Sequence, residues 1–152
     1  MTPEEKITEL GLTLPQVVAP LAAYVPAVRT GDLVYTSGQV PMVEGKLAQT
    51  GKVGAEVGLD DARELARICA LNALAALKAE IGDLSKVVRI VKVVAFVASD
   101  PAFTQHPQVA NGASELLAEV LGDAGKHARS AVGVAALPLD APVEVELIAE
   151  VS

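Results

Sequence analysis

Apolar and polar positions alternate most clearly toward the C-terminus. Two valine-rich runs, 127–137 and 143–151, flank Pro138-Leu139-Asp140-Ala141-Pro142, a pattern that predicts a β-hairpin with a five-residue loop. In that register Leu137 lies opposite about Val143 and Arg129 opposite about Val151. Arg129 and Glu144 then stand roughly seven residues, or about 23 Å, apart. Upstream, Val87 to Ala98 is a strongly β-branched strand. Asp60 or Asp61 can cap a helix to about Ile81, with Leu65, Ile68, Leu71 or Asn72, and Ala75 on one stripe and Gly82 as its stop. A second helix runs from about Pro107 to Leu121 and ends at Gly122.

The first third is more broken. Thr2 suits an N-cap, Pro3 a first turn and Gly11 a stop, so a short helix opens the chain. Leu14 to Val25 contains Pro15 and Pro20 and reads as an extended edge segment. Val25 to Val28, the turn Thr30-Gly31-Asp32 and Leu33 to Gly38 predict a hairpin. A loop over 39–46 and a short strand over 47–53 follow. The order hairpin, helix, strand, helix, hairpin predicts an α+β fold, a mixed sheet with two main helices packed on one face.

Composition adds a constraint. With 152 residues, one domain over 1–152 is expected, residues 1–21 being the helix and its extended lead-in. The chain is 51% hydrophobic and its mean hydropathy is +0.42, yet no apolar run reaches the ~18 residues of a membrane span. A domain this small cannot bury so much apolar surface alone, so an oligomer is expected. The net charge is −7 and tryptophan is absent, which argues against a nucleic-acid partner. His106, His127 and the lone Cys69 follow no metal-ligand spacing, and Cys69 reads as a small buried apolar residue. The opening residues lack a signal peptide's pattern, so a cytoplasmic protein is expected. Nucleophile elbow, phosphate loop and zinc-helix signatures are all missing, and Ser37 has no evident base.

Arg129 and Glu144 carry the remaining chemistry. A guanidinium grips a carboxylate through two parallel N–H···O bonds, and a carboxylate among valines can hold a water or move a proton. Taken alone, the two also fit a solvated arginine and an outward-facing strand glutamate.

Their surroundings are more specific. Tyr24-Val25, Thr36-Ser37-Gly38-Gln39-Val40-Pro41, Asn72 to Leu77, and Arg129-Ser130 with Leu137-Pro138 and Val143-Glu144-Val145-Glu146 together resemble the Rid family over roughly residues 22–151. Its members are reactive-intermediate (imine and enamine) deaminases, also called endoribonuclease L-PSP-like proteins. The longer N-terminal lead looks like a less characterised branch. The resemblance implies a chorismate-mutase-like subunit, a homotrimer with clefts between chains, and no cofactor or metal. It implies that Arg129 holds a substrate carboxylate and Glu144 helps position water. Tyr24, Ser37, Gly38 and Asn111 would line the cleft. Ala131 stands where the deaminase branch has a cysteine, so its backbone carbonyl is what would remain to orient water, and Gly133 replaces a usual glutamate. Two readings stay open: hydrolytic deamination of small 2-imino or 2-enamino acids, or a non-catalytic protein that binds a small carboxylate metabolite. Ribonuclease activity fits an acidic chain least.

Overall fold

The computed structural model of the chain describes residues 1–17 and 22–152. The long β-branched run forms strand β5, Val87–Ala98, with Ile90, Val93, Ala95 and Val97 buried. A strand this apolar belongs inside a sheet, and β5 is paired along both edges. Strand β6, Ala128–Val134, runs parallel to it, and β7, Val143–Val151, antiparallel. On the far side of β7 come β2, Leu33–Thr36, and β1, Ala27–Thr30, so the order is β1-β2-β7-β5-β6.

The expected C-terminal hairpin is therefore not formed. Its two arms are present, but β5 lies between them. The Pro138–Asp140 turn, with Leu139 and Asp140 in the left-handed region, carries the chain past the end of β5. Ala98 N–H donates to Pro142 O (2.9 Å) and Gly51 N–H to Asp140 O (3.0 Å) along that crossing. The N-terminal hairpin does form, as β1 and β2 around Gly31, whose φ is +58°.

Helices α2, Leu59–Ile81, and α3, His106–Leu121, cover one face of the sheet. α2 packs on β7, β2 and β1, while α3 packs on β5 and β6. Gly58, rather than Asp60 or Asp61, is the N-cap of α2, and the two aspartates sit in its first turn, where they favour the positive end of the dipole. The helices approach so closely that a Cβ on Gly112 would lie 1.9 Å from Arg63 O. Arg63 Nε donates to Gln108 O, and Arg67 forks onto Glu119, fixing α3 lengthwise against α2. Cys69 is buried in α2, and burial, then Glu144, push its thiol well above the ordinary range.

Elsewhere the expectations hold with shifted bounds. α1, Pro3–Glu9, carries a Thr2/Glu5 capping box. A two-stranded ribbon, β3 (Met42–Val43) and β4 (Lys46–Leu47), replaces the strand expected over 47–53, of which Val53 makes single bridges only. Buried Asn72 donates to Val40 O and Met42 O, both 3.1 Å, and so pins this ribbon to α2. Of the expected edge segment Leu14 to Val25, residues 14–17 and 22–25 form no strand and 18–21 lie outside the described residues.

Candidate functional site

Strand register decides which side chains can meet. Arg129 pairs with Val93, which is buried on the helix face, while Glu144 pairs with Phe96, three residues further along β5. An odd offset reverses the face. Arg129 points under α3, and Glu144 points to the open face of the sheet. Along the strands they are about 10 Å apart, and two strand spacings add about 10 Å across. The 23 Å separation expected from a hairpin is thus replaced by a shorter distance with the sheet between them. One chain does not bring the two together.

Each gathers its own group. Arg129 is half-buried, and its Nη1 donates to Asn111 Oδ1 (2.8 Å) and Ser114 Oγ (3.1 Å) on α3. Those acceptors, three apart, share one helix face. Ser114 Oγ also meets His127 Nε2 at 2.8 Å, and His127 Nδ1 lies 2.6 Å from Gly125 O. The Gly125 turn presses so closely on α3 that a Cβ there would lie 2.2 Å from Leu117 O. Nη1 thus uses both its hydrogens on neutral acceptors. Among the described residues no carboxylate pairs with Arg129, and its Nε and Nη2 meet no protein acceptor.

The second group lies on the opposite face. Ser37 Oγ donates to Val25 O (2.6 Å) and Ser37 N–H to Pro26 O (2.8 Å), which sets Tyr24 and Val25 beside the end of β2. Gln39 pairs with Val145 through two backbone bonds, and this lays Gly38 against Glu144. A Cβ on Gly38 would fall 2.7 Å from Glu144 Cδ, so glycine makes room for that carboxylate. Burial, then repulsion from Glu146, raise the Glu144 carboxyl above its usual range. Tyr24 itself is exposed. Ala131 pairs with Ala95 and packs on the core, on the same face as Arg129.

The structure therefore gathers Arg129 with Asn111, and Ser37, Gly38 and Glu144 with the Tyr24-Val25 segment, as two separate halves. Sequence reasoning missed Ser114 and His127. The signal was present: His127 stands two residues before Arg129, as same-face strand positions do, and Ser114 stands three after Asn111. Neither of two clefts, about 640 Å³ between α1 and the end of α3 and about 370 Å³ around Ser99, His106 and Gly133, is lined by Arg129 or Glu144.

The open face is partly apolar. Val28, Tyr35 and Val132 are exposed there, beside half-buried Phe96, Val94 and Ile148. No described helix is long and apolar enough to cross a membrane.

The chain is similar to known proteins along almost its whole length. The protein TCP17 of Trypanosoma cruzi is 42% identical over 147 residues, 96% of this chain and 92% of its own. A crystal structure of a protein of unknown function from Agrobacterium tumefaciens is 50% identical with a TM-score of 0.93, covering 99% of this chain and 92% of that one. A structure of TdcF from E. coli with bound serine is 27% identical with a TM-score of 0.64, over 91% and 93%. Residues 4–151 match the family described as "YjgF/chorismate_mutase-like, putative endoribonuclease". The chain belongs to this YjgF/chorismate-mutase-like family, the Rid (L-PSP-like) family that its motifs resemble.

Proposed function

We propose that the protein hydrolyses small 2-imino and 2-enamino acids to 2-oxo acids and ammonia, in clefts formed between the chains of a homotrimer. The observation that carries the reading is Arg129: a half-buried guanidinium with one nitrogen anchored to neutral acceptors, no protein counter-ion among the described residues, and its Nε/Nη2 edge free. That edge matches a carboxylate in the bidentate geometry arginine favours. The serine bound to TdcF is a three-carbon amino acid that carries such a carboxylate.

Glu144 supplies the second half from a neighbouring chain, since its own lies across the sheet. A water held by Glu144 and the Ala131 carbonyl adds to the imine carbon. Glu144 takes a proton from that water and gives it to the imine nitrogen, leaving a carbinolamine; it then takes the hydroxyl proton and passes it to the same nitrogen, so the C=O bond forms as the C–N bond breaks and ammonia leaves. A carboxyl raised above its usual range is a better base for this near neutral pH. Imines hydrolyse in water already, so orientation and one acid–base group suffice. Tyr24, Ser37, Gly38 and Asn111 shape the cleft. The partly apolar open face is surface that trimer assembly would cover.

Ala131 favours a second reading, a carboxylate-binding protein without turnover, because it lacks the thiol usual in the deaminase branch. Ribonuclease activity is disfavoured by Glu144, Glu146 and Glu150 in a row on the open face, which repel a polyanion. Coupling a serine or threonine dehydratase to detection of free imine separates the first two. Deaminase activity shortens imine lifetime in proportion to added protein. An unchanged lifetime across several amino acids, with folded protein that still binds a 2-oxo acid, leaves the binding reading.

A further inference from the structure

Arg129 can present its Nε/Nη2 edge to a carboxylate only if its plane is held, and donor–acceptor logic identifies what holds it. Gly125 O can only accept, so at 2.6 Å His127 Nδ1 carries the hydrogen. In the neutral ring Nε2 is then an acceptor. The group 2.8 Å from it, Ser114 Oγ, must donate its single hydrogen there. The serine oxygen is thereby left as a pure acceptor toward Arg129 Nη1, at 3.1 Å. Asn111 Oδ1 takes the other Nη1 hydrogen at 2.8 Å. Every hydrogen from Gly125 to Nη1 has one assigned place. A serine without the histidine could turn its hydroxyl hydrogen toward the cation, which repels it.

We infer that Ser114 and His127 are positioning residues, a two-residue brace that locks the Arg129 guanidinium so that its outer edge faces a ligand carboxylate. The inference rests on the carboxylate-clamp reading of Arg129. His127 acts through Ser114, and Ser114 through Nη1, so removing either link breaks the same brace.

Titration calorimetry with 2-oxobutanoate, and with its uncharged amide for comparison, tests this on the assembled full-length protein. Ser114→Ala and His127→Phe should each weaken 2-oxobutanoate binding by about 3- to 12-fold, the span of one hydrogen bond of ordinary net strength, because the lost bond acts on the ligand only through the guanidinium's orientation. The double variant should lose no more than either single. His127→Gln, which restores an acceptor at the Nε2 position, should recover to within about twofold of wild type, and the amide's affinity should not change. Independent losses that multiply in the double variant, or equal loss for the amide, would overturn the brace. So would unchanged affinity in both single variants beside a wild type that binds.

A ligand-free measurement keeps the two readings apart. Nitrogen NMR of the Arg129 side chain should resolve Nη1 from Nη2 in wild type, because two bonds hinder rotation, and the two should merge in Ser114→Ala and His127→Phe. If the wild type binds no 2-oxo acid, the clamp reading falls while this spectrum still decides the brace. Merged Nη signals in the wild type would remove it.

Discussion

Replacing Arg129 by lysine keeps the charge and removes the fork. In the structure Nη1 is fully used by Asn111 and Ser114 at 2.8 and 3.1 Å, and two parallel donors, on Nε and Nη2, remain for a ligand. A lysine ammonium has three hydrogens. If two satisfy Asn111 and Ser114, one is left, and it has no plane to match a carboxylate. Truncating such a charged contact costs about 2–5 kcal/mol when desolvated. Arg129 is only half-buried, so the lower part of that range applies, about 2–3 kcal/mol, or roughly a 30- to 150-fold rise in Kd. Calorimetric titration with a 2-oxo acid reads this directly, with a melt to establish that the variant is folded. Equal affinity in wild type and Arg129→Lys would refute the carboxylate role of this arginine.

Two further predictions concern the other half-site. Gly38→Ala places a methyl 2.7 Å from Glu144 Cδ and 2.9 Å from Oε2. The glutamate chain can swing aside, so the fold survives while kcat falls roughly 10- to 100-fold; steady-state kinetics beside a thermal melt would check this, and unchanged kcat would contradict it. Glu144→Gln removes a carboxyl whose folded-state pKa is raised by burial and by Glu146. Between the ordinary and the raised pKa the native state binds more protons than the unfolded one, so stability falls as pH rises through that window. The glutamine variant should therefore melt higher than wild type at neutral pH and lose that advantage below the ordinary carboxylate range, and a Tm series across pH measures it.

Much of the fold was legible because it is written in local pattern. The run Val87 to Ala98 could only be a strand, and Gly82 and Gly122 stop the two long helices in the structure as their places in the sequence predicted. The pairing partner of a strand is not local. The runs around Pro138 to Pro142 fit a hairpin as well as a crossing, and only the pairing of β5 along both edges, favoured by the apolar run Val93 to Ala98, selects the crossing. The same limit governed the candidate site. Arg129 and Glu144 stood out by residue type, but which face each occupies depended on the register with β5. Ser114 and His127 stayed hidden because their part is visible only once α3 lies over β6 and the bonds from Gly125 to Nη1 can be traced.

The central claim, that one working cleft takes Arg129 from one chain and Glu144 from another, is tested most directly by mixing chains. Arg129→Ala and Glu144→Ala proteins, each expected to be inactive alone, are exchanged into mixed oligomers and assayed for imine hydrolysis. In an equal mixture with random exchange, about one quarter of the clefts combine an intact arginine with an intact glutamate across two chains. The account predicts recovery of roughly that fraction of wild-type activity. Activity that stays at the level of the separate variants, after exchange has been verified by mass, would contradict it.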